Sequence, residues 1–142
     1  MTTTGIVNTF NINTQNSNNR TCADGGDGVS YSVVELGASW AKLSTPVASK
    51  CLNAGDEIML INVRGSSTNY PNTGNYEFLR VGGVAGDIVY FTTPKMNFYG
   101  KNFNDDSDLG AGATQQRVIL QRVPNYFNVT VNGTDATTYG KL

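Results

Sequence analysis

The stretch Gly55-Asp56-Glu57-Ile58-Met59-Leu60-Ile61-Asn62-Val63-Arg64-Gly65 decides the fold class. Its near-continuous apolar run is too short for a convincing helix and is bounded by glycine on both sides, the pattern of a central strand. Working outward, Asn75 to Val81 sets Tyr76, Phe78 and Arg80 against Glu77, Leu79 and Val81, the alternation of a half-buried strand. A Gly-rich bend then leads to a second strand, Asp87 to Thr93, and the two form a predicted hairpin. On the amino-terminal side, Val29 to Leu36 alternates and Trp40 to Thr45 returns antiparallel to it. On the carboxy-terminal side, Arg117 to Val123 is a strand that Pro124 ends by withholding a backbone donor.

Two further regions complete the expected sheet. Residues 1–20, rich in Thr and Asn, read as a flexible or edge-strand segment, and Asn128 to Tyr139 reads as a hairpin turning at Asn132-Gly133. The sum is an all-β chain of about eight short antiparallel strands, either a small barrel-like domain or a sandwich. A barrel is favoured because sequence neighbours can pair as a meander around the Glu57 to Val63 strand. A single β domain over residues 21–142 follows from the length.

Composition narrows the function. Of 142 residues, 39% are hydrophobic and only 15% charged, so the surface is hydrated by amides and hydroxyls rather than by charge. A formal net charge of -1 supplies no field to gather polyanions, which argues against nucleic-acid binding. With no histidine, Ser-His and Cys-His mechanisms are excluded. No apolar run approaches the length that spans a bilayer, so no membrane insertion is expected.

Cys22 and Cys51 are the only cysteines. An even pair in an Asn- and Thr-rich chain favours a disulfide over two separate buried thiols, and with it an extracellular or cell-surface setting. Closing that loop contributes roughly 3 to 4 kcal/mol in the chain-entropy account.

Two polar loops are the candidate sites. Between Gly65 and Asn75 only Tyr70 is large, and the segment has nothing to bury. Between Gly100 and Gln116, Asn102, Asn104, Asp106 and Asp108 recur at every second residue and offer hard oxygen donors of the kind calcium takes, although the glycine and distant glutamate of a helix-loop-helix calcium site are missing. A solvated acidic turn is the simpler reading, and it is also the simpler one for Asp24-Gly25-Gly26-Asp27. No motif requires a cofactor. Trp40, Tyr70, Tyr99 and Tyr126 lie near amide-rich loops and are the candidate aromatic platforms for a glycan. Glu35, Asp56, Glu57, Glu77 and Asp87 form many formal carboxylate pairs, none marked by spacing as a hydrolase dyad, so no enzymatic role is expected.

At Ala54 to Asn62, Gly74 to Phe78 and Gln116 to Tyr126, the sequence resembles the amino-terminal β modules of large secreted, adhesin-like bacterial surface proteins of the myxobacterial type. The resemblance covers about Thr21 to Val131, includes the Cys22-Ala23-Asp24 turn, and brings no assigned activity. It implies location more than mechanism; together with the absence of a marked site it leads to the expectation of a non-enzymatic structural or adhesive module, partnered by other extracellular domains or by a second copy through its Thr- and Asn-rich strand edges. The alternative is a carbohydrate-binding module, with calcium ordering the Asn102 to Asp108 loop.

Overall fold

A computed structural model of the chain describes residues 22–23 and 28–125. It is all-β, with no helix among the described residues and six strands: β1 (Ser30–Gly37), β2 (Trp40–Leu43), β3 (Glu57–Arg64), β4 (Tyr76–Ala85), β5 (Ile88–Phe91) and β6 (Arg117–Val123). These match six of the expected strands. The residue 1–20 segment and the Asn128 to Tyr139 hairpin, which would raise the count to about eight, lie outside the described residues.

The six strands close into a barrel in the order β1-β2-β5-β4-β3-β6, every neighbouring pair antiparallel. Only β3-β4-β5 is the expected meander. The long β5–β6 connection carries β6 past β4 to lie beside β3, so β6-β3-β4-β5 is a Greek key. A second long connection carries β2 to the far side of β5, and closure then follows from β6 pairing with β1, Ser30 opposite Gln121 and Val33 opposite Val118. Closing a sheet leaves its strands no open edges.

Side-chain alternation fills the interior. Ile58 and Leu60 of β3, Leu79 and Val81 of β4, Val118 and Leu120 of β6, and Val33, Leu43 and Val89 are all buried. At both limits of this apolar zone the inward positions turn polar: Asn62 ends the inward row of β3, and the inward row of β6 runs Gln116, Val118, Leu120, Arg122. The core is therefore a short apolar plug with a polar group at each mouth.

As expected of a central strand, β3 lies between β4 and β6, and its outward residues Met59 and Ile61 are half-buried. Their outward neighbours across the ladders are Phe78, Tyr76 and Ile119, which together make an apolar outer wall. One sequence reading needs correction: the Gly82-Gly83 pair is not a bend, since β4 continues through it to Ala85 with an irregularity between Val81 and Gly83. The chain turns only at Gly86-Asp87, where Gly86 has a φ of 63° that a side chain would disfavour.

Chain entry and exit share one end of the barrel, because Ser30 and Val123 both lie there. At that end Cys22 is bonded to Cys51 with a Cα–Cα distance of 4.6 Å. Nearby, buried Arg122 faces Asp56, Nε to Oδ2, at 3.4 Å. The opposite end gathers the β3–β4 loop, residues 65–75, and the β5–β6 loop, residues 92–116.

Candidate functional site

Strand lengths create the loop end. β4 has ten residues and β5 only four, so the first half of β4 has no strand on the β5 side. The chain after β5 runs along this gap and side chains supply the missing hydrogen bonds. The Glu77 carboxylate accepts from the backbone N–H of Met96 and of Asn97, at 2.9 and 3.0 Å, and Asn97 Nδ2 donates to the Tyr76 carbonyl at 3.0 Å. Asn75 Nδ2 donates to the Phe98 carbonyl at 3.0 Å. A backbone group left unpaired there would lose a full hydrogen bond, which is why carboxylate and amide side chains occupy these positions.

The same segment carries a shielded ion pair. Lys95 Nζ lies 2.5 Å from Asp106 Oδ2, with the lysine side chain 6% exposed. It also donates to the Asn97 carbonyl at 2.9 Å and stands 4.9 Å from the Phe98 ring centre. The other oxygen of Asp106 accepts from the Tyr99 N–H at 3.0 Å. Tyr99 is fully buried and its hydroxyl donates to Glu77 at 2.8 Å. Burial first, and the Glu77 carboxylate second, push its phenol well above the ordinary value of 10.0.

Beneath the two loops sit three buried amides. Asn62 Nδ2 donates to the Tyr99 carbonyl at 2.8 Å and to Gln116 Oε1 at 3.1 Å, while its own oxygen accepts from Arg64 N. Gln116 Nε2 donates to the Asn69 carbonyl at 2.8 Å. Asn72 Nδ2 reaches the carbonyls of Gly100 and Asn102 at 2.8 and 2.5 Å. Gly100 is where the β5–β6 loop folds back on itself, since a Cβ there would overlap Asp105 Oδ1 and the Ser107 nitrogen. Asp105 then collects Asn102 N, Asn102 Nδ2, Ser107 N and Ser107 Oγ. Burial alone would raise the Asp105 carboxyl, but these hydrogen bonds prevail and hold it below the ordinary value of 3.8.

Above this network the loops part to form a cleft of about 350 Å³, with Thr68, Asn69, Tyr70 and Pro71 on one side and Lys101, Asn102 and Phe103 on the other. Tyr70 is 65% exposed and Phe103 75%. Each ring rides on backbone held from below, Tyr70 next to the Asn69 carbonyl bound by Gln116 and Phe103 next to the Asn102 carbonyl bound by Asn72. The loop backbone beside each ring is thus held while the rings face solvent.

Of the four aromatics expected at a ligand site, only Tyr70 lines the cleft. Tyr99 is corrected from platform to core: its ring has no exposed face to offer. Trp40 is half-buried in the barrel wall, packed over Gly37 and paired with Tyr90, and Tyr126 lies outside the described residues. The every-second-residue cation set is dispersed as well. Asp106 serves Lys95 and Tyr99, and Asn102 faces Asp105, the residue the alternation skipped. Asn104 is exposed, and Asp108 has a φ of 62° with its carbonyl bound by Gln116 N. Among the described residues no three His, Cys, Asp or Glu side chains come together as a group that could hold a metal ion. Asp24 and Asp27 lie outside the described residues.

Sequence reasoning missed Phe103, Lys101, Asn72 and Gln116. The first was legible as a large apolar residue set between Asn102 and Asn104 in a polar stretch. The buried amides carry no such signal, because Asn is common throughout this chain. No helix among the described residues is long and apolar enough to cross a membrane. No protein-family model, curated protein or solved structure matches the chain.

Proposed function

We propose that this chain is a non-enzymatic adhesive module of an extracellular protein that recognises carbohydrate through the cleft between Tyr70 and Phe103. The observation that carries the reading is that two strongly exposed rings stand on loop backbone pinned by buried amides. Sugars offer the flat C–H faces that stack on exposed rings, while amides and hydroxyls meet their hydroxyl groups. Thr68, Asn69 and Asn102 stand beside the rings to do so. Pinning the backbone in advance lowers the ordering cost of binding. The disulfide supports the extracellular setting, and closure of the barrel makes a loop-borne site a better contact than a strand edge.

The test is a glycan array probed with the full chain and with the Tyr70→Ala/Phe103→Ala variant, each with EDTA and with calcium. Both substitutions are at exposed positions and leave the thermal unfolding midpoint within about 2 °C, as surface changes usually do. The wild type should retain at least one glycan class, and the variant should bind it on the order of a hundredfold more weakly, about tenfold per ring. An array blank under both conditions would sink the reading.

A further inference from the structure

Resting on that glycan reading, we infer that the cleft selects a pyranose bearing a carboxylate, a uronate-type sugar, through Lys101. Seven residues line the cleft, and their only ionisable side chains are the Tyr70 phenol and the Lys101 ammonium, so no carboxylate opposes an anion there. Lys101 is exposed and has no ion pair or side-chain hydrogen bond with any described residue, whereas Lys95, six positions earlier, is locked to Asp106. Among the described residues the acid hydrogen-bonded to a cleft residue is Asp105; it stays ionised, but its oxygens accept from Asn102 and Ser107 within the loop and it is not one of the residues lining the cleft.

Lys101 is also placed rather than trailing. Its backbone N–H donates to the Ser107 carbonyl at 3.3 Å, and its neighbours Gly100 and Asn102 have their carbonyls held by Asn72. A ring stacked between Tyr70 and Phe103 would have Lys101 at its edge, where the C5 carboxylate of a uronate projects. Across the cleft, Asn69 Nδ2 donates to Thr68 Oγ1 at 3.2 Å, which orients the pair and leaves Asn69 Oδ1 and the Thr68 hydroxyl proton for vicinal sugar hydroxyls. With a chain net charge of -1 there is no long-range attraction for polyanions, so the preference is local, for one carboxylate per bound ring.

The experiment is calorimetric titration of the full chain with a glucuronate-containing oligosaccharide and with its carboxyl-reduced counterpart of identical linkage. The acidic form should bind about five- to tenfold tighter at 20 mM salt, a single charge-assisted contact. Lys101→Gln should bring the two within about twofold while leaving the affinity for the reduced form unchanged. Equal binding of the two by wild type, lost in Tyr70→Ala/Phe103→Ala, would overturn the acidic selection and keep the glycan reading. An acidic preference that survives Lys101→Gln would likewise overturn the role of Lys101. Binding of neither, together with a blank array, would overturn both.

Discussion

The two ends of the barrel solve one problem by different means. At the end where the chain enters and leaves, a covalent bond between Cys22 and Cys51 and a buried Arg122 facing Asp56 hold the structure. At the loop end no covalent bond is used among the described residues; Asn62, Asn72, Asn75, Gln116 and Glu77 bind loop backbone, Asn97 ties its loop to β4, and Lys95 with Asp106 supplies the charge pair. A disulfide acts mainly by limiting the unfolded chain, whereas the amides act on the folded state by specifying where each loop carbonyl lies. Stability and placement are thus assigned to opposite ends. The two most exposed rings among the described residues, Tyr70 and Phe103, are at the end built for placement.

Separating the two effects is the way to test this comparison. The largest loss should come from Cys22→Ser/Cys51→Ser, roughly 3 to 4 kcal/mol in urea unfolding for a loop of this span, with ligand affinity of the folded fraction unchanged. A large change in affinity would break the division of labour. Lys95→Met should cost about 3 kcal/mol by leaving the Asp106 carboxylate without its cation in a shielded site, and should also speed amide exchange in residues 95–107. Fast exchange spread evenly over the barrel would show that the pair serves global stability instead.

The smallest effect concerns Tyr99. Its phenol is raised in the folded protein, so its contribution is fully present below the unfolded value of 10.0 and is lost as pH rises above it. Absorbance at 295 nm, compared between wild type and Tyr99→Phe, should show Tyr99 ionising only with unfolding. Tyr99→Phe, which loses a hydrogen bond worth about 1 kcal/mol at neutral pH, should flatten the alkaline decline in stability.

Much of the fold was legible because period-two alternation marks a strand directly. Arg117 to Val123 and Asn75 to Val81 were legible as strands from their alternation, but the inward side was not: Glu77 reads as a solvated, outward residue, yet it shares a row with Leu79 and Val81 and accepts from the Tyr99 hydroxyl. Pairing partners were less accessible: β2 beside β5 and β6 beside β1 are set by closure, which no local pattern encodes. The site was half visible. Tyr70 stood out as the only large residue in an otherwise unburied loop, while Asn72 in the same loop is 3% exposed and looks no different in sequence from the exposed Asn69. An asparagine bonded to backbone beneath a loop and one facing water share composition, propensity and local context, and only the fold distinguishes them. The alternation in Asn102 to Asp108 was equally silent about partners: the hydrogen-bonding needs of the loop itself engage Asp105 and Asp106, which spacing does not encode.

Entry at Ser30 and exit at Val123 from the same end has a mechanical meaning. β1 and β6 are antiparallel neighbours, so tension between those two points peels their ladder one hydrogen bond at a time rather than shearing all of them together. The bond from Cys22 to Cys51 reroutes that tension: load arriving at Cys22 passes to Cys51, and the 29-residue step between them, which contains β1 and β2, cannot be paid out as slack. A tether pulled at this module would lengthen from Cys51 onward only, and it would keep the amino-terminal third of the described barrel as a closed ring under load.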